Sequence, residues 1–231
     1  MTSESSAGMA VPTDADEVRE YYSLVKRAFE KLAPYYDFVV WPISRLRERV
    51  VAFTDARSGS RILDVATGTG KQAFAFGKRG HEVTAVDLSE AMLAVARKNN
   101  RWPNVRLEIR DATDLGFEDS AFDVSCISFA LHDMPARIRE GVLREMARVT
   151  KPGGTILIVD YALPRNKLGQ GLVHGLVRLY EGPYYTSFVR GDLGRLLEGA
   201  GIAVTNEQRV LMGAARMVKG TRAAREPHLA G

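Results

Sequence analysis

One cysteine, Cys126, in 231 residues excludes a disulfide framework and fits a reducing compartment. Set in an apolar run, it reads as a small buried strand residue. No apolar stretch reaches the length needed to span a bilayer. The opening Met1–Gly8 has neither a basic start nor an apolar core, so no signal peptide is expected and the chain is placed in the cytoplasm. Charge of one sign is not in marked excess: 32 Lys and Arg face 28 Asp and Glu, a net +4. That balance permits peripheral contact with anionic lipid but calls for no nucleic-acid partner. Internal repeats and low-complexity segments are absent, no metal site is expected, and nothing in the sequence speaks to oligomeric state.

What is present is concentrated at Arg61–Gly70, RILDVATGTG. Ile62, Leu63 and Val65 suit a strand covered on both faces. Gly68 and Gly70 allow a sharp turn and close backbone approach to a ligand, and a helix starting near Lys71 would aim free N–H groups into that turn. Nineteen residues past Gly68, a second apolar strand ends in Asp87, where an acid can accept both hydroxyl hydrogens of a ribose. A third strand, Val105–Ile109, precedes Asp111-Ala112, an acid and an N–H placed to meet the amine and a ring nitrogen of adenine. The pattern is that of a nucleoside-containing cofactor.

Gly68–Ala73 also fits the loose GxGxxG/A form, so a nicotinamide or flavin dinucleotide stays open as an oxidoreductase alternative. Asp64 argues against it. An acid just before the glycine turn repels a pyrophosphate and attracts an ammonium, and S-adenosylmethionine carries an amino group, a sulfonium and a ribose but no phosphate. A P-loop fails because Val65 stands where the first glycine belongs and Gln72 replaces the magnesium-binding hydroxyl.

Together, Leu63–Gly70, Val86–Leu93, Asp111-Ala112 and Leu143–Gly154 resemble the class I S-adenosylmethionine-dependent methyltransferases over about residues 28–220. The resemblance implies an α/β, Rossmann-like, seven-stranded and mostly parallel sheet with a C-terminal antiparallel hairpin and N-terminal cap helices. It implies S-adenosylmethionine as cofactor, leaving as S-adenosylhomocysteine. Asp64, Gly68 and Gly70 would surround its methionine portion, with Asp87 on the ribose, Leu88 and Met92 against adenine, and Asp111 and Ala112 at the adenine edge. Ala66, Thr67, Ser128 and Phe129 are the further cofactor contacts expected. The segment Phe29–Asp37 is similar to one in the ubiquinone/menaquinone-biosynthesis C-methyltransferases and in bacterial phospholipid N-methyltransferases, with Tyr36-Asp37 as a lid over the cofactor. After the fourth strand those quinone enzymes share an Arg-Asn pair, where this chain has Phe129–Pro135. The single cysteine argues against arsenic methylation, and the lack of an Asn-Pro-Pro-Tyr segment against methylation of bases or amides.

Along the chain, residues 1–13 read as disordered, 14–220 as one methyltransferase domain and 221–231 as a flexible tail. Within the domain, 14–55 form cap helices, 60–160 the cofactor core and 161–190 a substrate cap. Apolar spacing predicts helices over Asp14–Lys31, from after Pro42 to Phe53, and over 70–79, 89–99, 135–149, 167–181 and 191–200. Strands are predicted at 61–65, 82–86, 105–109, 122–128 and 154–160, then a hairpin of Ile202–Gln208 and Val210–Val218. All eight tyrosines lie before the first strand or after the fifth. Tyr22, Tyr35, Tyr161, Tyr184 and Tyr185 are therefore candidate walls of an acceptor pocket, by stacking or cation–π attraction. His132 follows the fourth strand and is the candidate base, with Asp133 to orient it. His174 falls opposite the leucines of 167–181 and is expected at the surface. The expected reaction is methyl transfer to a small or lipophilic acceptor, by C- or O-methylation of a quinol-like ring, with N-methylation of an aminolipid headgroup or small amine as the alternative.

Overall fold

The computed structural model describes residues 14–39, 45–164 and 183–223. Residues 1–13, the leucine-striped 167–181 with His174 and Tyr180, and 224–231 of the tail lie outside them.

In chain order the elements are α1 (Asp14–Val39), α2 (Leu46–Phe53), β1 (Arg61–Val65), α3 (Lys71–Lys78), β2 (Glu82–Asp87), α4 (Glu90–Asn99), β3 (Val105–Ile109) and β4 (Phe122–Ser128). A 3-10 turn at Leu131–Asp133 leads to α5 (Ala136–Val149), β5 (Thr150–Tyr161), α6 (Tyr185–Arg190), α7 (Leu193–Gly199), β6 (Ile202–Val210) and β7 (Ala215–Arg222). The sheet has seven strands in the order β3-β2-β1-β4-β5-β7-β6. β1 to β5 pair in parallel, while β7 runs antiparallel between β5 and β6.

Strand alternation explains the layering. Leu63, Val65 and Ile127 face one buried layer with Leu143 and Met146 of α5, whereas Ile62, Val83 and Cys126 face the other with Val50 of α2 and Phe76 of α3. Cys126 is fully buried, and that burial pushes its thiol well above the usual range, as suits a structural cysteine.

Several boundaries depart from the sequence reading, among them the second hairpin strand, expected at Val210–Val218 and found at Ala215–Arg222 because β6 runs on to Val210. α1 runs eight residues past Lys31, through Pro34, although an interior proline forfeits a helical hydrogen bond. β5 begins at Thr150 rather than 154, with a register irregularity where Phe122 pairs with Thr150 and Val124 with Thr155, so Lys151–Gly154 bulge from the ladder. The helix expected at 191–200 is α7, and a short helix that was not expected, α6, precedes it; the chain breaks at Gly191 and is recapped by Asp192, whose side chain accepts the Arg195 N–H.

The turn after β1 is held by Gly70, which caps α3 at φ +79°. A Cβ there would lie 2.7 Å from the Phe74 ring, itself stacked on Trp102 at 5.1 Å. Gly70→Ala therefore combines a left-handed residue with a ring that cannot swing away. Its expected cost is about 1–3 kcal/mol, read as an earlier urea midpoint at unchanged slope. An unshifted midpoint would show that the turn relaxes freely.

Candidate active site

The carboxyl ends of the strands open into a cavity of about 910 Å³, closed over by residues of α1 and α2. This is where an open α/β sheet binds its ligands. Three acids from three successive strand ends line it.

Asp64 of β1 is 1 % exposed. It accepts the Thr67 hydroxyl at 2.5 Å and the Ala73 N–H. Burial lifts its carboxyl to about 7, nearby Asp87 adds to the rise, and the two hydrogen bonds and Arg47 oppose it. Asp87 of β2 is likewise pushed up by burial, opposed by the N–H groups it accepts from Gly68 at 2.7 Å and Ser89 at 2.8 Å. Ser89 also caps α4 by accepting the Met92 N–H, which sets Leu88 and Met92 along the cavity wall. Asp111, after β3, accepts the Thr113 N–H at 2.8 Å, the Thr113 hydroxyl at 2.7 Å and the Tyr22 hydroxyl at 2.7 Å.

Tertiary contacts pin α1 across this opening. Near its start Tyr22 reaches Asp111; near its end Asp37 accepts the Thr69 hydroxyl at 2.6 Å and pairs with Lys71 at 2.8 Å. Tyr36 lines the cavity over Gly68, whose missing Cβ would stand 3.8 Å from the ring. Ala66 and Phe129, at the ends of β1 and β4, hold positive φ values of 52° and 51° without being glycine. Such backbone persists only where its surroundings over-determine it, and it clusters at ligand sites.

The β4–β5 side carries a histidine. His132 is buried in the 3-10 turn, and its Nδ1 lies 2.7 Å from Asp160 Oδ1 at the end of β5. The same carboxylate accepts the backbone N–H of His132 at 3.3 Å and of Tyr161 at 2.7 Å. Asp133 Oδ2 lies 3.5 Å from Nε2. Tyr161 meets the imidazole edge to face at 4.7 Å. Arg139 of α5 ties this corner together, donating to the Leu131 carbonyl at 2.7 Å and the Tyr184 carbonyl at 2.9 Å.

Of the residues expected at a site, Tyr36, Asp64, Ala66, Thr67, Gly68, Asp87, Leu88, Met92, Asp111, Ala112, Ser128, Phe129, His132, Asp133, Tyr22, Tyr161 and Tyr184 all line this one cavity. Three do not. Tyr35 is 71 % exposed, because a helix turns about 100° per residue and its neighbour Tyr36 takes the inward face. Tyr185 is fully buried behind the wall, with its ring 5.6 Å from Tyr161 and 6.4 Å from His132, so it supports the pocket without lining it. Gly70 shapes the turn from outside. Asp133 was expected beside His132, but Asp160 holds the shorter contact with the imidazole, 2.7 Å against 3.5 Å. Sequence reasoning missed Asp160, Arg139 and Arg47; only Asp160 had a signal, an apolar run ending in aspartate like those that end in Asp64 and Asp87.

A family model described as a methyltransferase domain matches residues 62–154. The demethylmenaquinone methyltransferase of Paenarthrobacter aurescens is 38 % identical over 145 residues, covering 61 % of this chain and 56 % of its own length. A ubiquinone/menaquinone biosynthesis C-methyltransferase of Idiomarina loihiensis is 36 % identical over 154 residues, covering 62 % and 61 %. The matches thus span under two thirds of these relatives. Among solved structures, an S-adenosylmethionine-dependent methyltransferase from Aquifex aeolicus superposes with a TM-score of 0.60 at 23 % identity, covering 77 % of this chain and 89 % of that one. Residues 62–154 of this chain thus match the methyltransferase-domain family, and its seven-stranded sheet has the fold of S-adenosylmethionine-dependent methyltransferases.

Proposed function

We propose that the protein transfers a methyl group from S-adenosylmethionine to a carbon of a quinol-like ring. The observation that carries the donor reading is the engagement of the glycine turn. Gly68 N–H is donated to Asp87, Thr67 N–H to the Val86 carbonyl, Gly70 N–H to the Thr67 carbonyl and Ala73 N–H to Asp64. These groups make no cradle for a pyrophosphate, and an acid stands beside them, which disfavours a dinucleotide. A donor with an ammonium, a ribose and an adenine suits the three acids instead: Asp64 for the ammonium, Asp87 for the ribose hydroxyls and Asp111 for the adenine amine. Leu88 and Met92 supply apolar surface for the ring. When bound, the donor supplies an electrophilic methyl group on a sulfonium.

The chain's own residues then have two tasks. Tyr161, Tyr184 and the apolar lining hold a flat acceptor and exclude water, so that the reacting atoms stay aligned. His132 takes the proton from a ring hydroxyl. With Nδ1 bonded to Asp160, Nε2 is the accepting nitrogen, and the imidazolium that results stands between two carboxylates. The electron-rich ring carbon so produced is the nucleophile, and the hydrogen it carries is lost as a proton after alkylation, which restores the aromatic ring. The likeness to demethylmenaquinone and ubiquinone/menaquinone methyltransferases supports a quinone-type acceptor, and a lipophilic acceptor implies peripheral contact with its membrane. No described helix is long and apolar enough to cross one.

Titration calorimetry with S-adenosylhomocysteine and NADH tests the donor, and transfer of labelled methyl to a demethylmenaquinol or to phosphatidylethanolamine tests the acceptor. S-adenosylhomocysteine binding and label on the quinol are expected. NADH binding without S-adenosylhomocysteine binding refutes the donor, and label on phosphatidylethanolamine alone refutes the acceptor.

A further inference from the structure

The cavity holds three cations, Lys71, Arg110 and Arg47, and they are not alike. Arg110 pairs with Glu108 at 2.8 Å and donates to the Leu115 carbonyl at 2.7 Å. Lys71 is neutralised by Asp37 at 2.8 Å. Arg47, on the first turn of α2, also lines the cavity, near the glycine turn. Among the described residues its guanidinium makes no hydrogen bond or ion pair. Burial disfavours its charge, and Asp37, Tyr36 and Asp64 are close enough to be felt electrostatically without coming into contact. A desolvated guanidinium without an anion is costly, and the position is not a result of loose tethering. Leu46, Val50 and Val51 of α2 are buried in the same layer as Phe74 and Ala75 of α3, and the Arg47 carbonyl accepts the Gln72 side-chain N–H at 3.4 Å.

An anion in this end of the cavity would meet Arg47 with Asp64 close by. A carboxylate on one side and a guanidinium on the other match a zwitterion, an α-amino acid group, better than they match an isolated anion such as phosphate, which Asp64 repels. We propose that Arg47 binds the α-carboxylate of the donor's amino-acid portion, while Asp64 binds its ammonium. This rests on the donor reading above and extends it, since Asp64, Asp87 and Asp111 are assigned to the ammonium, the ribose hydroxyls and the adenine amine and leave the donor's one anionic group, its carboxylate, without a partner. Arg47 is then a binding residue whose contribution depends on the amino-acid portion and not on the nucleoside.

The test is a calorimetric cycle on the full chain with three ligands. S-adenosylhomocysteine has the whole amino-acid group, its decarboxylated analogue keeps only the ammonium, and 5′-methylthioadenosine has neither. Arg47→Ala is expected to weaken S-adenosylhomocysteine by about 30-fold, the scale of a charge-assisted hydrogen-bonded pair. Methylthioadenosine should bind the variant within about twofold of wild type, and Arg47→Lys should recover part of the loss. The wild-type protein alone supplies a second arm should the variant fold poorly: it should discriminate against the decarboxylated analogue by a similar factor. Equal loss for all three ligands in the variant, or equal wild-type affinity for S-adenosylhomocysteine and its decarboxylated analogue, overturns the assignment of Arg47 alone. Wild-type protein that binds neither S-adenosylhomocysteine nor methylthioadenosine overturns the donor reading, and this assignment with it.

Discussion

Asp64→Asn is expected to make the ligand-free protein more stable and the donor bind far more weakly. In the folded chain Asp64 holds its proton up to about pH 7, against about 3.9 for an unfolded aspartate. Folding therefore favours the protonated form. That contribution is fully present below the unfolded value and is lost as pH rises through the folded one. Asparagine stays neutral throughout. The variant's advantage should be near zero at pH 4, grow across the window from 4 to 7 and level off above it at about 2–4 kcal/mol. Thermal melts at pH 5 and pH 8 would show the widening gap.

Donor affinity moves the other way, because only the ionised carboxylate attracts an ammonium. Wild-type affinity for S-adenosylhomocysteine should rise about tenfold from pH 6 to pH 8 as Asp64 ionises, while the variant should be flat and about 100-fold weaker at pH 8. Burying this acid costs stability in the empty protein and is offset when its partner arrives, a familiar trade at binding sites. Unchanged affinity in the variant would remove Asp64 from the site altogether.

His132→Ala is expected to lower the rate of methyl transfer to a quinol by about 10²–10⁴-fold, the range for loss of a positioned general base. S-adenosylhomocysteine affinity should change little, so the loss falls on kcat rather than on donor binding. Asp160→Asn should cost a large part of the same factor for a different reason. One carboxylate oxygen faces Nδ1 and the Tyr161 N–H, and the other accepts the His132 N–H. An amide cannot accept at both ends, so the ring or its supporting backbone must shift. The separating measurement is the acceptor's own acidity. An acceptor already ionised at the assay pH needs no base and should lose little in either variant, whereas a purely structural role would depress both acceptors alike.

The apolar runs ending in Asp64 and Asp87, the glycine turn and the alternation of strands with helices were legible because each is local. A buried strand and a positive-φ turn are written in neighbouring residues. The boundaries that were misread depend on partners elsewhere. α1 continues through Pro34 because its last turn is anchored by Asp37 on Thr69 and Lys71, across more than thirty positions. Tyr35 and Tyr36 are indistinguishable as a pair of letters, and only the placement of the helix over Gly68 decides which ring faces inward.

His132 tells the same story. As a chain neighbour, Asp133 was the natural partner for His132, but β4 and β5 lie side by side and in parallel, so their tips deliver His132 and Asp160 to one place from 28 positions apart. From the chain alone came the doubly wound class, the strand tips and the acids that end them, since periodicity and turn residues act over a few positions. The tertiary structure alone decided which carboxylate meets the imidazole, which tyrosines wall the pocket and that Arg47 lines it with no ion-pair partner among the described residues. Those outcomes depend on distances between residues remote in sequence, which packing sets and local pattern does not encode.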